Sequence, residues 1–291
     1  MKCILLGVLL ATLISRTIQD DEHPRIESSS EVFTESSTRS IETLRKARFG
    51  EELQTPSFGS VSDDAINHLK SEIAAETPIT GVGTGSRGAT YDVILQPGHY
   101  GRTTGAVGTH GSIVSERALA AYITGRIAQQ LRAQNVNVLV VSADEYLKPS
   151  RGAVSFDGLK GKVFLAIHAD GNPQPCKTGP SLGYAANSNP LAMHAVGWAL
   201  GAALGYRYMD FKQARRPLSP DEFRPDNFTA NEAQYYMFRQ VRADRLTGLL
   251  EIGELTCPES EKRLIASSQI IAADVARALI FLSSTQMEGE R

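Results

Sequence analysis

The sequence has almost no net charge, no long basic block and no internal repeat. Its 30 Lys and Arg face 32 Asp and Glu, a formal net charge of −2. That balance leaves no electrostatic footprint for nucleic acid or for an acidic membrane surface, and no nucleic-acid partner is expected. Long apolar runs are missing too. The stretch from Ile4 to Ile14 is too short for a comfortable transmembrane helix. It follows Lys2 and gives way to an acidic, Ser-rich stretch, which is how a signal-peptide core reads. Residues 1–16 are therefore expected to be a signal peptide. The mature chain is expected to be secreted, periplasmic or in the cell envelope, with no stable membrane span. Cysteine is scarce, with 3 in the chain. Cys3 lies ahead of the apolar run, so it does not resemble a lipid-attachment site. Cys176 and Cys257 remain, and in an oxidising compartment they either pair or stay free. Sequence alone cannot place their Cα atoms close enough to bridge.

What is present is a core. Apolar residues make up 42% of 291, enough for one large domain with additional segments. Residues 17–40 are polar and rich in Ser, Thr and Glu, the composition of a flexible arm. Ser62 is a fair N-cap for a helix over 62–76, in which Ala65, Ile66, Leu69 and Ile73 recur at helical spacing. That helix is read either as a linker or packing element or as a cap over a groove. A glycine-rich stretch, Gly81 to Gly88, sets the expected boundary between a flexible N-terminal segment (17–88) and the main domain (89–286).

Within the main domain short apolar strands alternate with helices. Strands are expected at Tyr91–Leu95, Val136–Val141, Lys162–Ile167, Leu182–Ala186 and Gly248–Ile252. Helices are expected at Ser115–Ala133, Leu191–Leu204 and Glu259–Leu282. Lys162–Ile167 is apolar on both faces, as in a buried parallel strand. The fold class is α/β: a three-layer domain with a twisted, mostly parallel sheet flanked by helices.

Three polar residues sit where such a sheet carries function. His99 follows the first strand, His168 follows the buried strand Val163–Ile167, and Glu251 lies inside the apolar run Leu249–Gly253. Ligands bind beyond the carboxyl ends of the strands in open α/β sheets, so all three can reach one crevice. Glu116 opens the following helix and can return over the same edge. Two histidines and a carboxylate suit a catalytic zinc site with a fourth position open. A carboxylate inside an apolar strand is costly unless it is paired or functional. The same residues also read as ordinary hydrogen-bonded structural groups.

Tyr91–His99 resembles the opening of the zinc-dependent N-acetylmuramoyl-L-alanine amidases of the Amidase_3 type. Gly105–Gly108, Gly111 and Ser115–Arg117 resemble that family's glycine-rich loop ending in a ligand Glu, although the loop here is longer. Arg151 and Phe164–Asp170 resemble its Arg and Ile-His-Ala-Asn segments, with Asp170 standing where Asn is usual. Leu249–Gly253 resembles its catalytic Glu strand. The resemblance implies one Zn²⁺ held by His99, Glu116 and His168, with Glu251 as the catalytic carboxylate. It implies hydrolysis of the amide between N-acetylmuramic acid and L-alanine, with peptidoglycan or a muropeptide as substrate; a protein activator is left open. Arg151, Asp170 and His110 are candidates for binding substrate or steadying a ligand. Glu145 is a weaker alternative ligand. Residues 207–242 depart from the family pattern. This leaves two alternatives: a zinc peptidase or deacylase acting on a non-wall amide, or an inactive wall-binding module.

Overall fold

The computed structural model describes residues 61–86, 88–109, 112–142, 158–176, 180–185, 188–189, 192–193, 195–197, 199–200 and 241–284. All lie in one compact unit, Gly50–Arg291. The expected signal peptide, His110, Glu145, Arg151 and the 207–240 stretch fall outside the described residues.

The chain runs α1 (Asp63–Ala74), β1 (Thr90–Pro97), α2 (Glu116–Ala133), β2 (Val138–Val140), β3 (Lys160–Asp170), β4 (Ser181–Tyr184), β5 (Arg242–Glu254) and α3 (Pro258–Ser284). The described residues between 192 and 200 are also helical. The strands form one sheet in the order β2-β1-β3-β5-β4. All neighbours are parallel except β4, which runs antiparallel along β5 at the edge. This is the α/β fold with a mostly parallel sheet that the alternating pattern implies.

β3 lies at the centre and is buried along nearly its whole length, which is why its sequence is apolar on both faces. On one face Ile94, Phe164, Ala166 and Leu249 pack into a single cluster. Side chains alternate across a strand. The same parity therefore carries His168 onto the face of Phe164 and Ala166, and Glu251 onto that of Leu249. His168 and Glu251 are register partners in adjacent strands.

α2 starts where Ser115 caps it, its side chain accepting from the Ala118 N–H at 3.2 Å. α3 starts with Pro258, favoured at a first helical position because its missing N–H has no intrahelical partner there. It is long and apolar enough to cross a membrane by length and composition alone. Here it is a core helix: Leu264, Ile271, Val275 and Leu279 are all buried, and it packs against α2 and the sheet.

α1 packs against α2 and α3. Its buried residues Ile66 and Ile73 face inward, and ion pairs frame it. Glu76 takes Arg117 with two hydrogen bonds, 3.0 and 2.8 Å. Glu72 takes Arg126 at 2.9 Å, and Asp63 takes Lys262 at 2.8 Å. The glycine segment after α1 also joins the sheet, for Gly83 N–H donates to the Val140 carbonyl at 2.9 Å. Ile73 is 0% exposed, so Ile73→Ala should destabilise the domain by about 2–5 kcal/mol. A lowered midpoint in urea unfolding of the full chain would register this; an unchanged midpoint would mean that α1 contributes nothing to domain stability.

Candidate metal centre and catalytic cleft

The carboxyl ends of β1, β3 and β5 open into a cavity of about 660 Å³. His99, Arg102, Glu116, His168, Asp170 and Glu251 are among the residues that line it. No residue of α1 is among those that line it; α1 packs on α2 and α3.

His99 stands just past β1 with a positive φ of 57°. That left-handed turn swings its ring back over the strand ends. Its Nε2 lies 3.3 Å from Glu116 Oε2. On the other side of the ring, Nδ1 meets Thr103 Oγ1 at 2.8 Å. The Thr103 contact holds Nδ1 on the far side of the ring and leaves Nε2 turned toward Glu116. His168 comes from the core strand and presents Nδ1 to Glu116 Oε1 at 2.8 Å. The two rings meet edge to face with centroids 5.4 Å apart.

Glu116 is the first residue of α2 and only 5% exposed. Its Oε2 accepts from the Ala106 N–H at 2.8 Å, and its Oε1 from the Ala169 N–H at 3.4 Å. Burial pushes its pKa up, but hydrogen bonds and charge attraction from His168 and His99 outweigh this and hold it at about 2. It is a carboxylate at any physiological pH. The ligand atoms of His99, Glu116 and His168 all lie within 4.8 Å of one another, so this group can hold a metal ion.

Two glycines make the approach possible. A Cβ on Gly98 would sit 2.6 Å from His168 Nδ1. One on Gly105, whose φ is +68°, would strike the Glu116 carboxylate and lie 2.7 Å from His99 Cδ2.

The cleft therefore brings together His99, Glu116, His168, Glu251 and Asp170, five of the residues singled out from sequence. Asp170 Oδ1 accepts from the Gly171 N–H at 2.8 Å. Sequence reading missed Arg102, Asn172 and Thr256 in the lining, and Thr103 behind His99. It also missed Glu254, a wholly buried carboxylate at the end of β5. Its Oε1 accepts from the Cys176 N–H at 2.7 Å and from Thr256 Oγ1 at 2.8 Å. The signal available was a Glu directly following an apolar strand.

Cys176 and Cys257 form a disulfide, with Cα atoms 4.8 Å apart across a sequence separation of 81. It joins the loop after β3 to the loop after β5, and both loops line the cleft. Asn172 and Thr256 join the same loops by hydrogen bonds of 3.0 and 3.3 Å. Closing so long a loop constrains the unfolded chain, so Cys176→Ser with Cys257→Ser should cost about 2–5 kcal/mol. Thermal unfolding of the double variant against the oxidised chain tests this, and equal midpoints would refute it.

Among curated proteins no match is found. Several solved structures are similar. An N-acetylmuramoyl-L-alanine amidase from Clostridium difficile 630 is 18% identical, with 69% of this chain and 100% of that one covered, at a TM-score of 0.46. The amidase Ami1 from Mycobacterium smegmatis shows 18% identity over 69% and 100%, at 0.45. The CwlD amidase from Clostridioides difficile, in complex with the GerS lipoprotein, shows 17% over 67% and 100%, at 0.47. The Amidase_3 model, described as N-acetylmuramoyl-L-alanine amidase, matches residues 93–280, a span that takes in all four residues of the His99, Glu116, His168 and Glu251 constellation. With well over half of its length inside that match, the chain belongs to the Amidase_3 family of N-acetylmuramoyl-L-alanine amidases and is an amidase.

Proposed function

We propose that the protein is a zinc-dependent amidase of the cell envelope that cleaves the bond between N-acetylmuramic acid and the L-alanine of the peptidoglycan stem. The observation that carries this is the meeting of His99, Glu116 and His168 on the wall of a cleft that also holds Glu251.

The donor set fits the ion. Two imidazole nitrogens and one carboxylate oxygen are a common three-ligand catalytic set for zinc, with a fourth position left open. The Thr103 contact supports the His99 tautomer whose Nε2 can act as a ligand. When bound, zinc supplies Lewis acidity, which lowers the pKa of water and polarises the scissile carbonyl.

Glu251 supplies the proton chemistry. It sits beside His168 in the sheet, on the cleft-facing side. Its carboxylate takes a proton from the attacking water and delivers it to the departing alanine nitrogen. A single positioned carboxylate can serve both transfers. Arg102 is the only Lys or Arg among the described residues lining the cleft, and it suits the carboxylates of a stem peptide. An exported, oxidising location agrees with the Cys176–Cys257 bridge.

The full chain should hold about one zinc, as a three-ligand site implies. A chelator should abolish muropeptide hydrolysis, and added zinc should restore it. Glu251→Gln should fold and keep its zinc but lose activity by about 10²–10⁴-fold, the usual worth of a general acid/base. Mass spectrometry of released stem peptides reads the product. A folded chain without zinc would defeat the metal reading, and an active Glu251→Gln would remove Glu251 from its role.

A further inference from the structure

The segment between the two family motifs His99 and Glu116 is held from outside the cleft. Residues 106–109 and 112–115 run antiparallel, paired by backbone hydrogen bonds. At the base of this pair Ala106 N–H donates to Glu116 Oε2, and Glu116 N–H donates to the Ala106 carbonyl, both at 2.8 Å. Above that, Val107 and Ser115 form an antiparallel bridge, and Gly108 N–H reaches the Val114 carbonyl at 2.9 Å. At the tip Ser112 N–H donates to the Thr109 carbonyl at 2.7 Å.

Glu261 of α3 grips that tip. Its side chain is 2% exposed. Thr109 donates to Oε2 through both its hydroxyl (2.5 Å) and its N–H (3.3 Å). The Ser112 hydroxyl donates to Oε1. Lys70 of α1 stands 3.7 Å from the same oxygen. Gly108 is forced by this contact, since a Cβ there would strike Glu261 Oε1. Glu261 lies in the first turn of α3, where the helix dipole favours a carboxylate. At the loop's other end, Arg117 is fixed by its two hydrogen bonds to Glu76 beside α1. The ladder from tip to base is continuous, and its last rung is the Glu116 carboxylate itself.

We propose that Glu261 is a positioning residue for the metal centre: by holding Thr109 and Ser112, and through them the paired segments 106–109 and 112–115, it sets the placement of the Glu116 carboxylate and so the affinity for zinc. This rests on the metal reading above. Glu261 lines no part of the cleft and touches no reacting atom.

The test is zinc affinity of the full chain, measured by competition with a chromophoric chelator, beside the thermal midpoint of the metal-free protein. Glu261→Ala should weaken zinc binding about 10–100-fold, the usual effect of removing a residue that orients a ligand. Glu261→Gln keeps an acceptor and the side-chain volume, and it should recover most of that loss. The visible spectrum of the cobalt-loaded chain should differ in Glu261→Ala and return in Glu261→Gln. A lowered midpoint with unchanged zinc affinity would mean a purely structural role and overturn the proposal. If Glu261→Ala fails to fold, T109V/S112A removes the grip from the loop side and should weaken zinc in the same range; wild-type affinity there would refute the clamp. A wild-type chain that takes up no zinc would instead defeat the metal reading on which this rests.

Discussion

The Glu116 carboxylate, set between two imidazoles, is the contact around which this molecule is arranged. A buried charge is expensive unless its oxygens are satisfied. Here each oxygen has an imidazole nitrogen and a backbone N–H, and the helix that begins at Glu116 points its positive end at the group. Meeting those demands requires the end of β1, the end of β3 and the start of α2 to converge. It also requires glycine at 98 and 105, because a Cβ at the first would strike the His168 ring and one at the second the Glu116 carboxylate. Remove the carboxylate and the two imidazoles would lose the group that both of them approach.

The parallel sheet makes this convergence inexpensive. Parallel strands end along one edge, so residues distant in sequence become neighbours there without special loops. His168 and Glu251 are 83 positions apart in sequence yet register partners in space. The rims are then tied together by a disulfide, by Glu254 and by the Asn172–Thr256 hydrogen bonds. The result is a cleft with covalently joined walls on one side and a loop anchored to α3 on the other. Such rigidity suits hydrolysis, in which the water, the carbonyl and the acid/base must be held in a fixed relation.

Sequence showed most of the sheet and three of the four central residues, because each of them follows or interrupts an apolar strand. β3 was plain since burial on both faces leaves an unbroken apolar run. β5 was foreshortened: it runs Arg242–Glu254, not Gly248–Ile252. Its first half carries Arg242, Asp244 and Arg245, which hide the strand pattern. Arg245 is nonetheless buried, because its guanidinium donates to the Leu282 carbonyl on α3. Glu116 could be placed almost wholly by family resemblance, its position at the start of a helix being the one local sign. Its approach to the histidines depends on a loop whose closure is set by backbone hydrogen bonds and by Glu261, 145 positions away. No local pattern reports such a contact. The Thr103 contact with His99 and the choice between paired and free cysteines were hidden for the same reason: each depends on a distance in space.

His99 has a left-handed backbone, a conformation that glycine adopts freely and that costs other residues roughly 1–2 kcal/mol. Selection for stability alone would favour glycine or asparagine at that position. The histidine marks a point where the fold is less stable than it could be so that its site can be more capable. Ranking substitutions in this chain by backbone strain alone would count His99 among the residues to replace, and would leave the His99–Glu116–His168 group incomplete.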